Sequence, residues 1–395
     1  MSERGLDAKI VDMAKELQGF TVEMRRDFHK HPETKFEEQR TSEIVENFLR
    51  DCGYATQRAA GTGVIGILEC NTGKAKSTVA LRADMDALNV EEQNDVSYKS
   101  TIPGKMHACG HDAHTAMLMS AAKIISSLKD HLVGTVKLVF QPGEEGGAGA
   151  KKVMDEGHLN DVDAIFGIHV WVELPSGVLA TRKGPMMASS DGFEICITGK
   201  GGHAAHPHLT NDPTAPAADI YNAFHKLISR AVNPFFPAVI TLPQLEASNG
   251  YNVIPDSVKM RGTLRTFDSD LRNKLMDHMR SITEHYAKGW GCNSSFELFR
   301  APYPPLINNP DLVDFVTEAL CMLGPVAEAE MTMGGEDFAF YTQKIPGAFL
   351  QLGIGNKEKN VIFPHHHPKF DIDEDVLWKG VAAYALIAYK YNMLS

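Results

Sequence analysis

The sequence predicts an α/β fold: one domain built on a mainly parallel sheet with helices on both faces, interrupted by an inserted second domain. Between residues 64 and 170 short continuous apolar runs alternate with helical stretches, the texture of strands buried on both faces. Near residue 180 the texture changes, and the stretch 192–299 reads β-α-β-β-α-β, the ferredoxin-like split-βαβ order. A length of 395 residues also exceeds one ordinary core. The first domain is therefore expected to comprise 1–180 and 299–395, and the insertion 181–298.

The elements follow in order. The first fifty residues read as two amphipathic helices, with Pro32 of HKHPET ending the first. VIGILE (64–69) and TVALRA (78–83) are strands, and HTAMLMSAAKIISSLKD (114–130) is a helix with apolar residues at helical spacing. TVKLVFQ (135–141) is a strand, GAKKVMDEG (149–157) a short helix and AIFGIHV (164–170) another strand. In the insertion, strands over 192–200, 238–247, 257–267 and 294–299 bracket helices over 213–231 and 269–288. A helix (310–323), a strand (347–353) and a closing helix (373–391) complete the first domain.

Composition narrows the function. A formal net charge of −11 argues against nucleic acid, since a polyanion needs a basic face. The six cysteines show no CxxC pair and read as reduced thiols of a cytoplasmic protein. The polar N-terminus lacks the apolar run of a signal peptide, and no stretch reaches the ~18 apolar residues of a membrane span.

Four polar clusters each sit at the end of a predicted strand or the start of a helix: Asp84 and Asp86, HACGHDAH (107–114), Glu144 and Glu145, and His169. In a parallel sheet such positions line one crevice. Cys109 and His111 are two apart, so on extended backbone they face one side, and thiolate and imidazole both suit Zn or another late first-row divalent ion. Asp112 is expected to support them by hydrogen bonding. A helix start with a buried cysteine is the plainer reading, and a nucleophilic Cys109–His pair a third. Glu144 and Glu145 diverge if the backbone is extended, leaving one for metal and one for proton transfer; an acidic turn before a helix is the alternative. His169 alone suits a satisfied core residue, and the histidines of FPHHHPKF (363–370) suit a solvated loop. Together, the clusters make a metal site the expectation.

These motifs resemble the M20 metallopeptidase and aminoacylase family, in its branch of N-acyl-amino-acid amidohydrolases, hippurate hydrolases, auxin-conjugate hydrolases and carboxypeptidases. The resemblance runs through HKHPETKFEE (29–38), LRADMDAL (81–88), MHACGHDAHTAML (106–118), FQPGEEGGAGA (140–150), GIHVW (167–171), GKGGHAAHPH (199–208), NVIPD (252–256), GGEDFAFY (334–341) and HHPKFDID (366–373). It implies that Cys109, His111, Glu145, His169 and His366 hold two divalent ions (Zn, Mn, Co or Ni), with His365 and His367 as alternative registers. It implies Glu144 as general base and Asp84, beside Arg82, as a supporting residue. It implies that the insertion is a lid and dimerisation domain whose His203 stabilises the reacting carbonyl oxygen, with Asn252 and Arg265 touching substrate. His206 stands where the branch often has methionine, and the paired glycines usual before NVIP are missing.

The resemblance therefore implies a homodimeric di-metal hydrolase cleaving the amide bond of an N-acyl-L-amino acid. A carboxypeptidase or dipeptidase acting on short peptides is the alternative on the same machinery, and a catalytically silent binding or scaffold protein is the alternative from another class. Retention of both glutamates and all five ligand positions speaks against the last.

Overall fold

The structure, a computed structural model, describes residues 3–70, 77–247, 250–299 and 301–392. It separates into two units, one formed by residues 1–184, 307–330 and 340–395, the other by 185–306 and 331–339.

The first unit is organised on an eight-stranded sheet. Its strands are β1 (Ala55–Ala59), β2 (Gly63–Glu69), β3 (Thr78–Asp84), β4 (Thr135–Gln141), β5 (Ala164–Pro175), β6 (Leu179–Thr181), β7 (Val326–Glu328) and β8 (Gly347–Gly355). The spatial order is β1-β2-β4-β3-β5-β8-β6-β7. The central four, β4-β3-β5-β8, run parallel, while β1, β2 and β6 pair antiparallel with their inner neighbours. Every residue of β3 is buried, which is why TVALRAD reads as a continuous run rather than an alternation. Strands β1, β6 and β7 escaped the sequence reading: ATQRA is mostly exposed, and the other two are only three residues long.

The N-terminal segment forms three helices, α1 (Glu3–Glu16), α2 (Gln18–Lys30) and α3 (Gln39–Asp51), not two. Leu17 breaks the first. There the Thr21 hydroxyl donates back to the Leu17 carbonyl (2.9 Å), a contact that bends helices. Helix α4 (His111–Ser127) is buried almost all round, packed among α2, β3 and the closing helix Leu377–Tyr391. It starts three residues earlier than its apolar periodicity suggests, because Gly110 caps it in the left-handed region (φ 85°). A side chain at Gly110 would also meet Val170 Cγ2 at 2.3 Å.

The second unit carries a four-stranded antiparallel sheet in the order Ala238–Glu246, Ser257–Thr266, Asp191–Thr198, Asn293–Leu298, with helices Thr214–Ala231 and Ser269–Gly289 packed together against it. This is the split-βαβ arrangement. Phe193, Ile195, Ile197, Phe224 and Met279 form its separate core. Among the described residues no helix is long and apolar enough to cross a membrane.

Candidate metal centre

The parallel strands deliver the acidic groups. Asp84 is the last residue of β3, and β4 ends at Gln141, three residues before Glu144. His169 lies within β5 rather than at its end, because β8 keeps pairing as far as Gly355 opposite Pro175.

The turn 143–148 is not extended. Gly143, Gly146 and Ala148 all have positive φ, and Glu145 has φ −68° and ψ 73°. Two carboxylates shape it. Glu38 accepts the Gly143 N–H (2.9 Å), and Asp86 accepts the Glu144 N–H on one oxygen (3.0 Å) and the Glu145 N–H on the other (2.9 Å). A side chain at Gly143 would strike the Phe36 ring at 2.6 Å, so the turn also needs glycine there.

Around this turn the sequence-predicted ligands converge in overlapping sets. The donor atoms of Cys109, His111 and His169 lie within 4.8 Å of one another, and so do those of Cys109, Glu145 and His366. The sets share the Cys109 thiol. A further set joins His111 to both Glu144 and Glu145. The two glutamates therefore do not diverge as an extended backbone would require. What distinguishes them is that Glu145 also belongs to the Cys109–His366 set. Cys109 and His111 likewise meet without an extended backbone, across the left-handed Gly110.

Two of the imidazoles are oriented by their other nitrogen. His111 Nδ1–H donates to the Asp86 carbonyl (2.8 Å), leaving Nε2 without a hydrogen-bond partner. His169 Nδ1–H donates to the Val170 carbonyl (2.6 Å), leaving Nε2 3.5 Å from the Cys109 sulfur. His366 Nε2 lies 3.2 Å from Glu145 Oε1, an oxygen that lacks a hydrogen-bond donor. His366 itself has φ 68°, an uncommon backbone state for a non-glycine residue and one that clusters at functional sites. Its neighbours face elsewhere. His365 donates to the Val170 carbonyl (3.0 Å), and His367 stacks on Phe363 at 4.7 Å.

His114, though close to Asp84 and His111, is closed to a metal. Its Nε2 accepts the Val170 N–H (2.9 Å), so Nδ1 carries the proton given to Asp84 (2.6 Å). Asp84 is bonded also to Arg82 (2.8 Å). Burial opposes its ionisation, but Arg82, His111 and His114 outweigh that and hold it well below the usual carboxylate range. Asp112 accepts from Arg25 and His29.

The electrostatics suit cations. Burial alone would lower the His111 pKa, yet Asp84, Asp86 and Cys109 raise it well above its usual value. Cys109 and Glu145 pull His366 up to about 10. Orphaned lone pairs, a thiol, imidazoles and an excess of carboxylate within 4.8 Å sets are what a divalent ion of the zinc type requires.

A match to peptidase family M20/M25/M40 spans residues 80–390. The chain belongs to this family. As an M20 protein it is a metal-dependent hydrolase. It is 42% identical over 388 residues to thermostable carboxypeptidase 2 of Saccharolobus solfataricus, covering 97% of this chain and 98% of that one. It is 39% identical over 371 residues to N-acetylcysteine deacetylase of Bacillus subtilis, covering 93% and 95% respectively. Among solved structures it resembles a Bacillus subtilis M20 protein described as a dinuclear metal binding peptidase, with a TM-score of 0.83, 36% identity and coverage of 96% and 99%.

The remaining expected residues of this M20 chain lie in the second unit. His203 is exposed in a short ladder with Val253–Ile254, and its Nδ1 accepts the Ala205 N–H (3.0 Å). Asn252 is next to that ladder, its carbonyl accepting the Ala204 N–H (3.1 Å). Arg265 lies half-buried on the strand Ser257–Thr266. Sequence reasoning assigned no role to Glu38, Asp86 and His114. The signal for Asp86 was its spacing of two from Asp84 at a strand end. Glu38 lay inside a quoted motif, and its partner is more than a hundred residues away.

Proposed function

We propose that this chain hydrolyses the amide bond of N-acyl-L-amino acids with two divalent ions held by Cys109, His111, Glu145, His169 and His366. The observation that carries the reading is the pair of ligand sets overlapping at Cys109, with Glu144 beside them. When bound, the ions supply Lewis acidity, polarising the carbonyl and activating water.

The chain's own groups do the rest. Glu144, buried against His111, takes the proton of the attacking water and passes it to the leaving nitrogen as the C–N bond breaks. The acyl carbon gains the hydroxyl and leaves as a carboxylate; the amine leaves protonated. Asp86 keeps Glu144 and Glu145 in place through their backbone N–H groups. His203 donates to the developing oxyanion, and Asn252 and Arg265 contact the substrate; the M20 match supports these roles. Homodimerisation through the second unit is supported by its antiparallel sheet, which ends on the strands Ala238–Glu246 and Asn293–Leu298.

The relative named a deacetylase supports acylated amino acids, and the relative named a carboxypeptidase supports short peptides as the second reading. Protein reconstituted with Zn, Mn, Co or Ni is to be assayed against N-acyl amino acids and dipeptides, with chelated protein beside it. Metal-dependent release of the free amino acid from the acyl substrates is expected. Full activity in verified metal-free protein, or turnover of dipeptides alone, overturns the proposal.

A further inference from the structure

Among the described residues the largest fully buried side chains are two arginines, Arg82 beside Asp84 and Arg25 on α2. The Arg25 guanidinium spreads over three carboxylates. Nε donates to Asp112 (2.8 Å), Nη2 to Asp371 (2.9 Å) and Nη1 to Glu374 (3.1 Å). The Tyr98 ring covers one face at 4.8 Å, while the Tyr98 hydroxyl donates to the second oxygen of Asp371 (2.7 Å). His29, one turn along α2, adds a second contact to Asp112 (2.7 Å) and reaches Glu92 (3.2 Å).

The partners are not scattered. Asp112 directly follows the ligand His111 in the first turn of α4. Asp371 and Glu374 belong to the segment that carries His366, which is itself pinned to the other side by its N–H on the Ala108 carbonyl (2.8 Å). Arg25 therefore ties the stretch bearing Cys109 and His111 to the stretch bearing His366, more than 250 residues later in the chain. A buried ion pair is a weak source of net stability, since desolvation offsets the attraction, whereas fixing register is its best-attested use. A planar fork of fixed N–H donors sets the geometry of three carboxylates from two segments, which the flexible ammonium of a lysine does not.

We infer that Arg25 is a positioning residue for the metal centre, setting the His366 segment against the start of α4 so that the Cys109–Glu145–His366 set closes. The inference rests on the two-ion reading above. It predicts an asymmetric effect. The Cys109–His111–His169 set depends on α4 and β5, which the sheet also holds. The His366 set depends on a loop outside the sheet; among the described residues it meets the start of α4 through the Arg25 network, the His366 N–H on the Ala108 carbonyl and the Phe370 ring beside Gly110, and is also bonded to Val170, Gln93 and Asn94.

The test uses Asp371→Asn, at the partly exposed rim of the network, and Arg25→Lys at its centre. Zinc binding to the full-length protein is titrated against a chromophoric chelator, giving separate affinities for the two equivalents, and thermal unfolding of the chelated protein is followed in parallel. Wild type should take up two ions. Asp371→Asn should keep one at wild-type affinity and bind the other about 10- to 100-fold more weakly, the scale for groups that orient ligands, with chelated unfolding unchanged. Arg25→Lys should show the same asymmetry; should it fail to fold, Asp371→Asn decides alone. Two unchanged affinities in Asp371→Asn, or equal weakening of both with a lowered unfolding temperature, overturn the inference. A wild-type protein that binds fewer than two ions instead overturns the two-ion reading, and the inference with it.

Discussion

Asp86→Asn tests whether the 143–148 turn is held from outside. The carboxylate gives one oxygen to each of two successive backbone N–H groups, at 3.0 and 2.9 Å. An asparagine keeps one acceptor and turns an NH2 toward the other N–H, so one charge-assisted bond is lost outright and the other becomes neutral. Hydrogen bonds to charged groups contribute about 1.5–3 kcal/mol each and neutral ones about 1. The loss is then roughly 2–5 kcal/mol, borne by a turn that already places Ala148 at positive φ. Glu144 shifts with its backbone, and a displacement near 1 Å of a catalytic group costs about a hundredfold. Turnover should therefore fall about a hundredfold while KM changes little, with the unfolding midpoint lowered. Steady-state kinetics on the substrate found in the screen, with metal analysis and urea unfolding, read these separately. A variant within threefold of wild-type kcat refutes the reasoning.

Other expectations follow the same geometry. Glu144→Gln should retain both ions and lose most turnover, whereas Glu145→Ala should lose an ion; metal analysis showing the reverse swaps their roles. Glu38 is buried, and desolvation, only partly offset by its hydrogen bond from Thr62, raises its pKa from 4.5 to about 7. The unfolded chain releases that proton first, so between pH 4.5 and 7 this residue makes stability fall by about 3 kcal/mol. Glu38→Gln, which can still accept the Gly143 N–H and donate to Thr62, should flatten that slope in urea titrations, and an unaltered slope excludes the assignment. His203→Ala should lower turnover about a hundredfold, the scale of one oxyanion donor, with metal content unchanged; near-normal turnover removes His203 from the reaction.

Much of this was legible in the sequence because chemistry and secondary structure shared short motifs. TVKLVFQ emerges as a strand over the same residues, Thr135–Gln141, and Cys109, His111, Glu145, His169 and His366 gather where ligand type and family pattern put them. Backbone detail was less legible. The extended-chain arguments for Cys109/His111 and for Glu144/Glu145 missed Gly110 and the positive-φ turn, since a left-handed residue reverses side-chain direction without altering hydropathy. The Asp112 partners Arg25 and His29 lie more than eighty residues away in the chain. Partners such as Arg25 with Asp371 leave no local pattern at all.

Strand β8 enters the sheet between β5 and β6, although the whole second unit is synthesised after β6 and before β8. A chain made from its N-terminus thus offers a self-contained ferredoxin-like unit, with its own core, long before residues 347–355 leave the ribosome. Until then β5 has an open edge, and the pairing that closes it spans almost half the chain, the kind of distant contact that slows folding and exposes intermediates. Biogenesis therefore has a vulnerable interval in which the inserted unit is complete and the catalytic sheet is not, and chaperone dependence should concentrate there.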